Sequence, residues 1–290
     1  MPETAEIHAD AALQSAASAF VGALTPTQHV TELIGGIGRL MRVARSRQLI
    51  VIEMDGFIRG PRARRLHQAV IDTTAPSHIF AMQHSNELST ILAGWRRNST
   101  LAIHELRPSP DIVPVPLSFR AQRRAIRFSS AFSSPEGEVH SYSFDSVAFE
   151  GTWLGSGEPS PPHMLRYLAG ALAEETQVYY AETYGNHLGI MVSRTVPDDC
   201  AALTIAMDQF HAGEATITRA PILKHLVVGL ETSAGKLLGI GRIEAIDFKR
   251  RTLGVRSLVR TPAAVSAIRF GSMRVDDNGE VFALISPGEI

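Results

Sequence analysis

Two groups of residues in this 290-residue chain have the types and spacing to do chemistry. Arg120, Arg123, Arg124 and Arg127 recur at i, i+3, i+4 and i+7, so a helix there gathers them on one face. Guanidinium binds phosphate through two parallel hydrogen bonds, so such a face suits a phosphate-rich partner; the alternative is a solvated helix face. Glu53 and Asp55 follow the apolar run Gln48-Leu49-Ile50-Val51-Ile52 in the turn Glu53-Met54-Asp55-Gly56. Open α/β sheets bind ligands beyond the carboxyl ends of their strands. Carboxylates placed there could hold a metal-bound water or orient a substrate hydroxyl; the alternative is a plain Asp-Gly turn. The 11 histidines are scattered, and His140, His163, His187 and His211 have no metal-ligand spacing. A lone Cys200 excludes an internal disulfide and a cysteine-based zinc site, which fits a reducing, cytoplasmic location.

Charge is distributed unevenly. The whole chain carries 28 Lys+Arg against 29 Asp+Glu. Residues 1–128 hold 15 Arg and 10 acids, whereas residues 129–222 hold 3 Arg and 12 acids. Residues 223–290 hold 10 Lys+Arg and 7 acids. The first stretch concentrates its cations at Arg39, Arg42, Arg45, Arg47, Arg59, Arg62, Arg64 and Arg65, and again at Arg96, Arg97 and Arg107. With 44% hydrophobic residues there is material for a packed core, which excludes wholesale disorder. No apolar run approaches the length of a membrane span, and the first residues do not resemble a secretory signal.

The elements that must position these residues follow from periodicity. Residues 19–22 read as the end of a short strand, stopped at Thr25-Pro26. Leu33, Ile34, Ile37, Leu40, Met41 and Ala44 have helical spacing within 31–46. The run 48–52 has the pattern of a strand covered on both faces. Pro61 begins a helix that runs to Asp72, and Pro76 stops it. Ile79 to Met82 reads as a buried strand, Ser85 as an N-cap for a helix holding Leu88, Ile91 and Leu92, and Leu101 to Ile103 as a further strand. Strand, helix, strand, helix, strand argues for a parallel α/β sheet. Pro108, Pro110, Pro114 and Pro116 mark an extended linker before the arginine helix. An acidic segment follows, with a turn at Gly155 to Pro159 and a helix around Met164 to Ala173. Short strands at 226–230, 237–246, 252–259 and 267–275, separated by turn residues, read as a small antiparallel barrel or sheet.

Several stretches, in order, resemble the polynucleotide 5′-hydroxyl kinase family, the RNA 5′-kinases of pre-mRNA cleavage and rRNA processing and their prokaryotic relatives. They are Phe20-Val21-Gly22 with Thr25-Pro26 and His29, then Gly38-Arg39-Leu40, then Leu49 through Gly60, then Pro76 through Gln83 with Glu87-Leu88. Arg120 through Phe132 is similar to the family's arginine-rich lid helix. Leu226 through Leu230, Gly239 through Ile243 and Ile268 through Ser272 resemble its C-terminal domain. The resemblance implies an incomplete P-loop-type parallel sheet with helices over residues 1–133, including the lid. An acidic α+β segment over 134–220 and a β-rich C-terminal domain over 221–290 follow. It implies phosphoryl transfer from ATP or GTP with Mg2+ to the 5′-hydroxyl of single-stranded RNA or DNA. Arg120, Arg123, Arg124 and Arg127 match the lid over the transferring phosphate. Phe57 matches an aromatic position that stacks on a substrate base, the alternative being that it packs beneath the sheet. Thr25 and His29 match a polar loop near the substrate, and Gln83 a position that contacts substrate or holds backbone.

The departures carry equal weight. The family needs G-x-x-x-x-G-K-(S/T), in which backbone N–H groups and the lysine hold nucleotide phosphates. No such motif occurs here, and no lysine precedes Lys224. Glu53 and Met54 stand where the family usually has Asp and Thr. The resemblance therefore implies a chain that begins after the phosphate-binding loop and the catalytic aspartate, with little activity alone. A sheet missing its first strand would leave an edge uncovered. That favours self-association or an upstream polypeptide carrying the loop, with no membrane role. Two alternatives stay open: a degenerate nucleic-acid-binding or scaffold protein, and an interaction protein whose arginines bind an acidic partner other than nucleic acid.

Overall fold

The computed structural model describes residues 15–172, 175–196, 201–286 and 288–290. Cys200 and Ala173 lie outside them. The chain first forms α1 (Val30–Ala44) and α2 (Gly60–Thr74), which pack on each other, then β1 (His78–Met82), α3 (Ser89–Leu92), β2 (Ala102–Leu106) and α4 (Leu117–Phe132). Strands β3 (Glu138–Ser143), β4 (Ala148–Glu150) and β5 (Glu158–Pro159) precede α5 (Pro162–Ala171). Next come β6 (Val178–Tyr184), β7 (His187–Val192), α6 (Ala201–Gln209) and β8 (Glu214–Arg219). The chain closes with β9 (Leu226–Glu231), β10 (Leu237–Asp247), β11 (Thr252–Ser257), β12 (Ala267–Val275) and β13 (Val281–Leu284).

Three sheets result. β1 and β2 pair in parallel, His78 opposite Ala102 through Met82 opposite Leu106. Strands β5–β6–β7–β8 form a second sheet, whose core of Leu168, Leu188, Ile190 and Val192 is closed by α5. The third sheet runs β13–β12–β9–β10–β11–β3, with β4 parallel to β12. Its central strand, β9, is buried at every position. One face of β9 looks into the main core of Leu226, Val228, Leu230, Ile243, Leu253 and Val255. The other carries Val227, which joins Phe20, Phe132 and Met273 in a smaller cluster. The N-terminal segment and the end of α4 are thus built onto the C-terminal sheet. Gly229 is part of the reason, because a Cβ there would fall 2.6 Å from the Phe20 ring.

The mixed α/β architecture with a β-rich C-terminal part holds, and the four C-terminal strands fall within about two residues of their expected bounds. Four local expectations fail. The strand at 78–82 forms but is not buried as a whole, with Phe80 65% and Met82 68% exposed, because it pairs with β2 alone and its outer face has no covering element among the described residues. Residues 48–52 form no strand: Leu49 is 80% and Val51 84% exposed, and the parallel sheet has β1 and β2 only. A β-branched run gains nothing from extension unless neighbours pair with it, and no described strand does. Residues 19–22 are extended but unpaired, ending at Gly22 with a φ of 77° that no strand continues. Ser85 is not an N-cap; its N–H donates to the Glu87 carboxylate at 3.0 Å, and α3 begins only at Ser89.

Candidate nucleic-acid interface

The arginine helix forms as spaced. Pro116 sets its entry, and Phe128 and Phe132 turn its inner face onto the C-terminal sheet, their rings stacked 5.9 Å apart. Arg120, Arg123, Arg124 and Arg127 are all exposed on the outer face. Among the described residues none of them makes an ion pair, and Arg120 donates only to the backbone carbonyl of Val115, at 3.1 and 3.2 Å. Arg123 lies 6.0 Å from the Phe119 ring centroid, a cation–π distance. Arg123, Arg124 and Arg127 keep their donors for an outside anion, whereas Arg120 has Nε and one Nη engaged by Val115.

What holds α4 in place is itself an arginine. Arg242 is 2% exposed and lies 5.7 Å from the Phe132 ring. It donates to Glu244 at 2.8 Å, to Asp277 at 2.7 Å and to the Val275 carbonyl at 3.2 Å. The Arg242 hydrogen bond and charge hold the Asp277 carboxyl below the ordinary carboxylate range. Ser133 donates to the Asp277 carbonyl at 2.6 Å, tying the helix end to the β12–β13 turn. The tip of that turn, Gly279, lies so close to the Ala125 carbonyl and the Ser129 N–H that a Cβ there would overlap α4. Nothing in the local sequence around Arg242 distinguishes it from the exposed arginines.

The remaining candidates fall in three places. Thr25 is exposed on a one-turn 3-10 segment whose Thr27 carbonyl accepts from Arg62 of α2 at 3.1 Å. His29 is 8% exposed, with Nε2 2.7 Å from the Ser272 hydroxyl on β12 and Nδ1 3.8 Å from Glu32. The Ser272 N–H also donates to the Gly22 carbonyl at 2.8 Å. The loop before α1 therefore sits on β12, a pairing across 243 residues that no local pattern could signal.

Glu53 and Asp55 are exposed in the α1–α2 connection, where Asp55 accepts the Phe57 N–H at 3.0 Å in a local turn. Phe57 is half-buried, and its carbonyl faces Nε2 of His67 on α2 at 3.1 Å. Gln83 is 7% exposed with both ends of its amide in use: it donates to Glu105 at 3.0 Å and accepts from the Leu88 N–H at 3.0 Å. Those bonds hold the end of β1 against α3. No hydrogen bond or ion pair among the described residues joins Glu53 or Asp55 to the arginines of α4.

The described residues contain no group of three or more His, Cys, Asp or Glu that could hold a metal ion. No helix among them is long and apolar enough to cross a membrane.

A family profile described as mRNA cleavage and polyadenylation factor CLP1 P-loop matches residues 1–134. The chain is 26% identical over 279 residues to a polyribonucleotide 5′-hydroxyl-kinase of Thermococcus kodakarensis, covering 96% of this chain and 74% of that one. It is 25% identical over 271 residues to the enzyme of the same description from Pyrococcus abyssi, covering 92% and 71%. A third such relative, from Methanocaldococcus jannaschii, is 25% identical over 276 residues, covering 94% and 72%. A solved wild-type Clp1p–Pcf11p complex aligns with 86% of this chain at 11% identity and a TM-score of 0.41. This chain spans 52% of that solved chain.

Proposed function

We propose that the chain is a polynucleotide 5′-hydroxyl kinase-like protein that binds the 5′ end of single-stranded RNA or DNA, a reading supported by the profile over residues 1–134 and by the polyribonucleotide 5′-hydroxyl-kinases it resembles. One observation carries the reading: four arginines share an outward face of α4 with no carboxylate partner among the described residues, while Arg242 and Arg269 of the C-terminal sheet are both paired. The face takes the phosphates of the strand, and release of condensed counterions supplies the affinity. Thr25 and His29 lie on the substrate side, and Phe57 offers a ring for a terminal base. The cytoplasm is the compartment we assign, on the single Cys200.

The residues present do not fit a nucleotide and Mg2+ site. The sequence holds no G-x-x-x-x-G-K-(S/T), its three lysines are Lys224, Lys236 and Lys249, and Glu53 and Asp55 are exposed without a third ligand. ATP or GTP with Mg2+ would need a phosphate-binding loop that these 290 residues do not hold. The open face of β1–β2, with Phe80 65% and Met82 68% exposed, is where we place a polypeptide segment carrying such a loop or a second copy.

The test is affinity for a 5′-hydroxyl RNA oligonucleotide across a salt series. Binding is expected to weaken steeply with salt, and each arginine of α4 changed to alanine should lower the logarithmic slope by about 0.7. Salt-independent binding, or none, would overturn the reading in favour of an acidic protein partner. With ATP or GTP and Mg2+ present, this chain alone should transfer no phosphate; robust transfer would overturn the second part.

A further inference from the structure

A cavity of about 550 Å3 opens where the loop before α1, the β6–β7 hairpin and the C-terminal sheet meet. Its volume and its place between units are those of small-molecule sites. Part of its wall is aromatic. Tyr184 and His187 flank the Gly185-Asn186 turn with ring centroids 4.8 Å apart at 36°, and Trp153 also lines the space. Two of the rings are held by threonine hydroxyls. His187 Nε2 lies 2.8 Å from the Thr216 hydroxyl, and the Trp153 indole N–H donates to Thr218 at 3.0 Å. Another part of the wall is His29, fixed by Ser272.

The charge of this space selects its ligand. Its one strong cation, Arg269, is already bridged by Glu231 at 3.2 Å and by Glu150. Burial alone would lower the Arg269 pKa, but the Glu231 hydrogen bond and the charges of Glu231 and Glu150 hold it above its ordinary value. Glu32 lines the cavity as well, and Glu214 sits 3.5 Å from Nδ1 of His187. Carboxylates therefore outnumber cations, and a phosphate inside would meet net repulsion. A neutral heteroaromatic ring meets none. The hydroxyls of Ser156 and Ser286 on the lining can donate or accept, so they tolerate either kind of base edge.

The geometry points to a nucleobase pocket: the cavity takes one base of the bound single strand, seated against Tyr184 and His187, while the phosphates stay outside. This base is separate from the one assigned to Phe57. The inference rests on the proposed binding of a polynucleotide 5′ end, and the experiment keeps the two apart.

Short 5′-hydroxyl oligonucleotides carrying a single abasic site at each position in turn are measured against the intact strand. One internal position is expected to weaken binding by about 5- to 150-fold, the range for loss of a base–aromatic stack. Tyr184→Ala should erase the difference at that position alone, and Tyr184→Phe should keep it. As a check that does not depend on that variant folding, adenosine titrated into the Trp95→Phe protein should quench Trp153 fluorescence. Oligonucleotide binding that is indifferent to every internal abasic site, or sensitive to one but unchanged by Tyr184→Ala, would overturn the pocket and leave the arginine face standing. Absence of adenosine quenching would likewise count against the pocket alone. No oligonucleotide binding at any salt would remove both readings.

Discussion

Strands β1 and β9 are both short and largely apolar, yet their surroundings differ completely. β9 is buried at all of its positions between β10 and β12, whereas β1 exposes Phe80 and Met82 on a face that nothing described covers. The arginines of the two regions diverge in the same way. Those of α4 point outward without ion pairs, while Arg242 and Arg269 are enclosed by carboxylates. Burial and pairing belong to an element's neighbours more than to its own composition. The centre of the C-terminal sheet is enclosed on both faces, whereas the two-stranded α/β sheet leaves apolar side chains on an open face.

The largest effect that would sharpen this contrast comes from Arg242. Arg242→Ala leaves Glu244 and the end of α4 without their shared partner and should lower stability by about 3–5 kcal/mol in urea unfolding. A change under 1 kcal/mol would mean that α4 is not held by this residue. Leu230→Ala, in β9 and fully buried, should cost about 2–5 kcal/mol by the same measurement. Ser272→Ala removes the His29 contact and should cost about 1 kcal/mol, with α4 unaffected. Acid should act on the Asp277 tie. Because Arg242 depresses the Asp277 pKa in the folded chain, that stabilisation is complete above the unfolded carboxyl value of about 4 and is lost as pH falls through the folded one. Asp277→Asn should therefore flatten the acid limb of the stability curve. At the small end, Phe80→Ala should change stability by no more than about 0.5 kcal/mol. A cost as large as that of Leu230→Ala would show β1 covered in solution and would dissolve the contrast, and its loss on dilution would identify the cover as a second copy.

What could be read from the sequence divides along the same line. The C-terminal strands were legible because alternation and turn residues such as Asp277-Asn278-Gly279 are local signals, and α4 because its arginines and phenylalanines keep helical spacing. The run 48–52 misled because a continuous apolar stretch reports what burial would favour and carries no record of whether neighbours exist. The contact of His29 with Ser272, the enclosure of Arg242 and the cavity beside Tyr184 join residues far apart in the chain, so no window of sequence holds them. Asp55 was legible in a local turn, where it accepts the Phe57 N–H, and Glu53 beside it is exposed.

The contact between Gly279 and the backbone of α4 falls toward the C-terminal end of that helix, so any tilt of α4 about it would move the two ends unequally. At 1.5 Å per residue, Arg120 lies about 13 Å from Ser129 along the axis and Arg127 only about 3 Å. A tilt of about 10° around that contact would sweep Arg120 through about 2 Å but Arg127 through less than about 1 Å. The four guanidinium groups are thus graded in how far such a tilt would carry them, Arg120 the most and Arg127 the least.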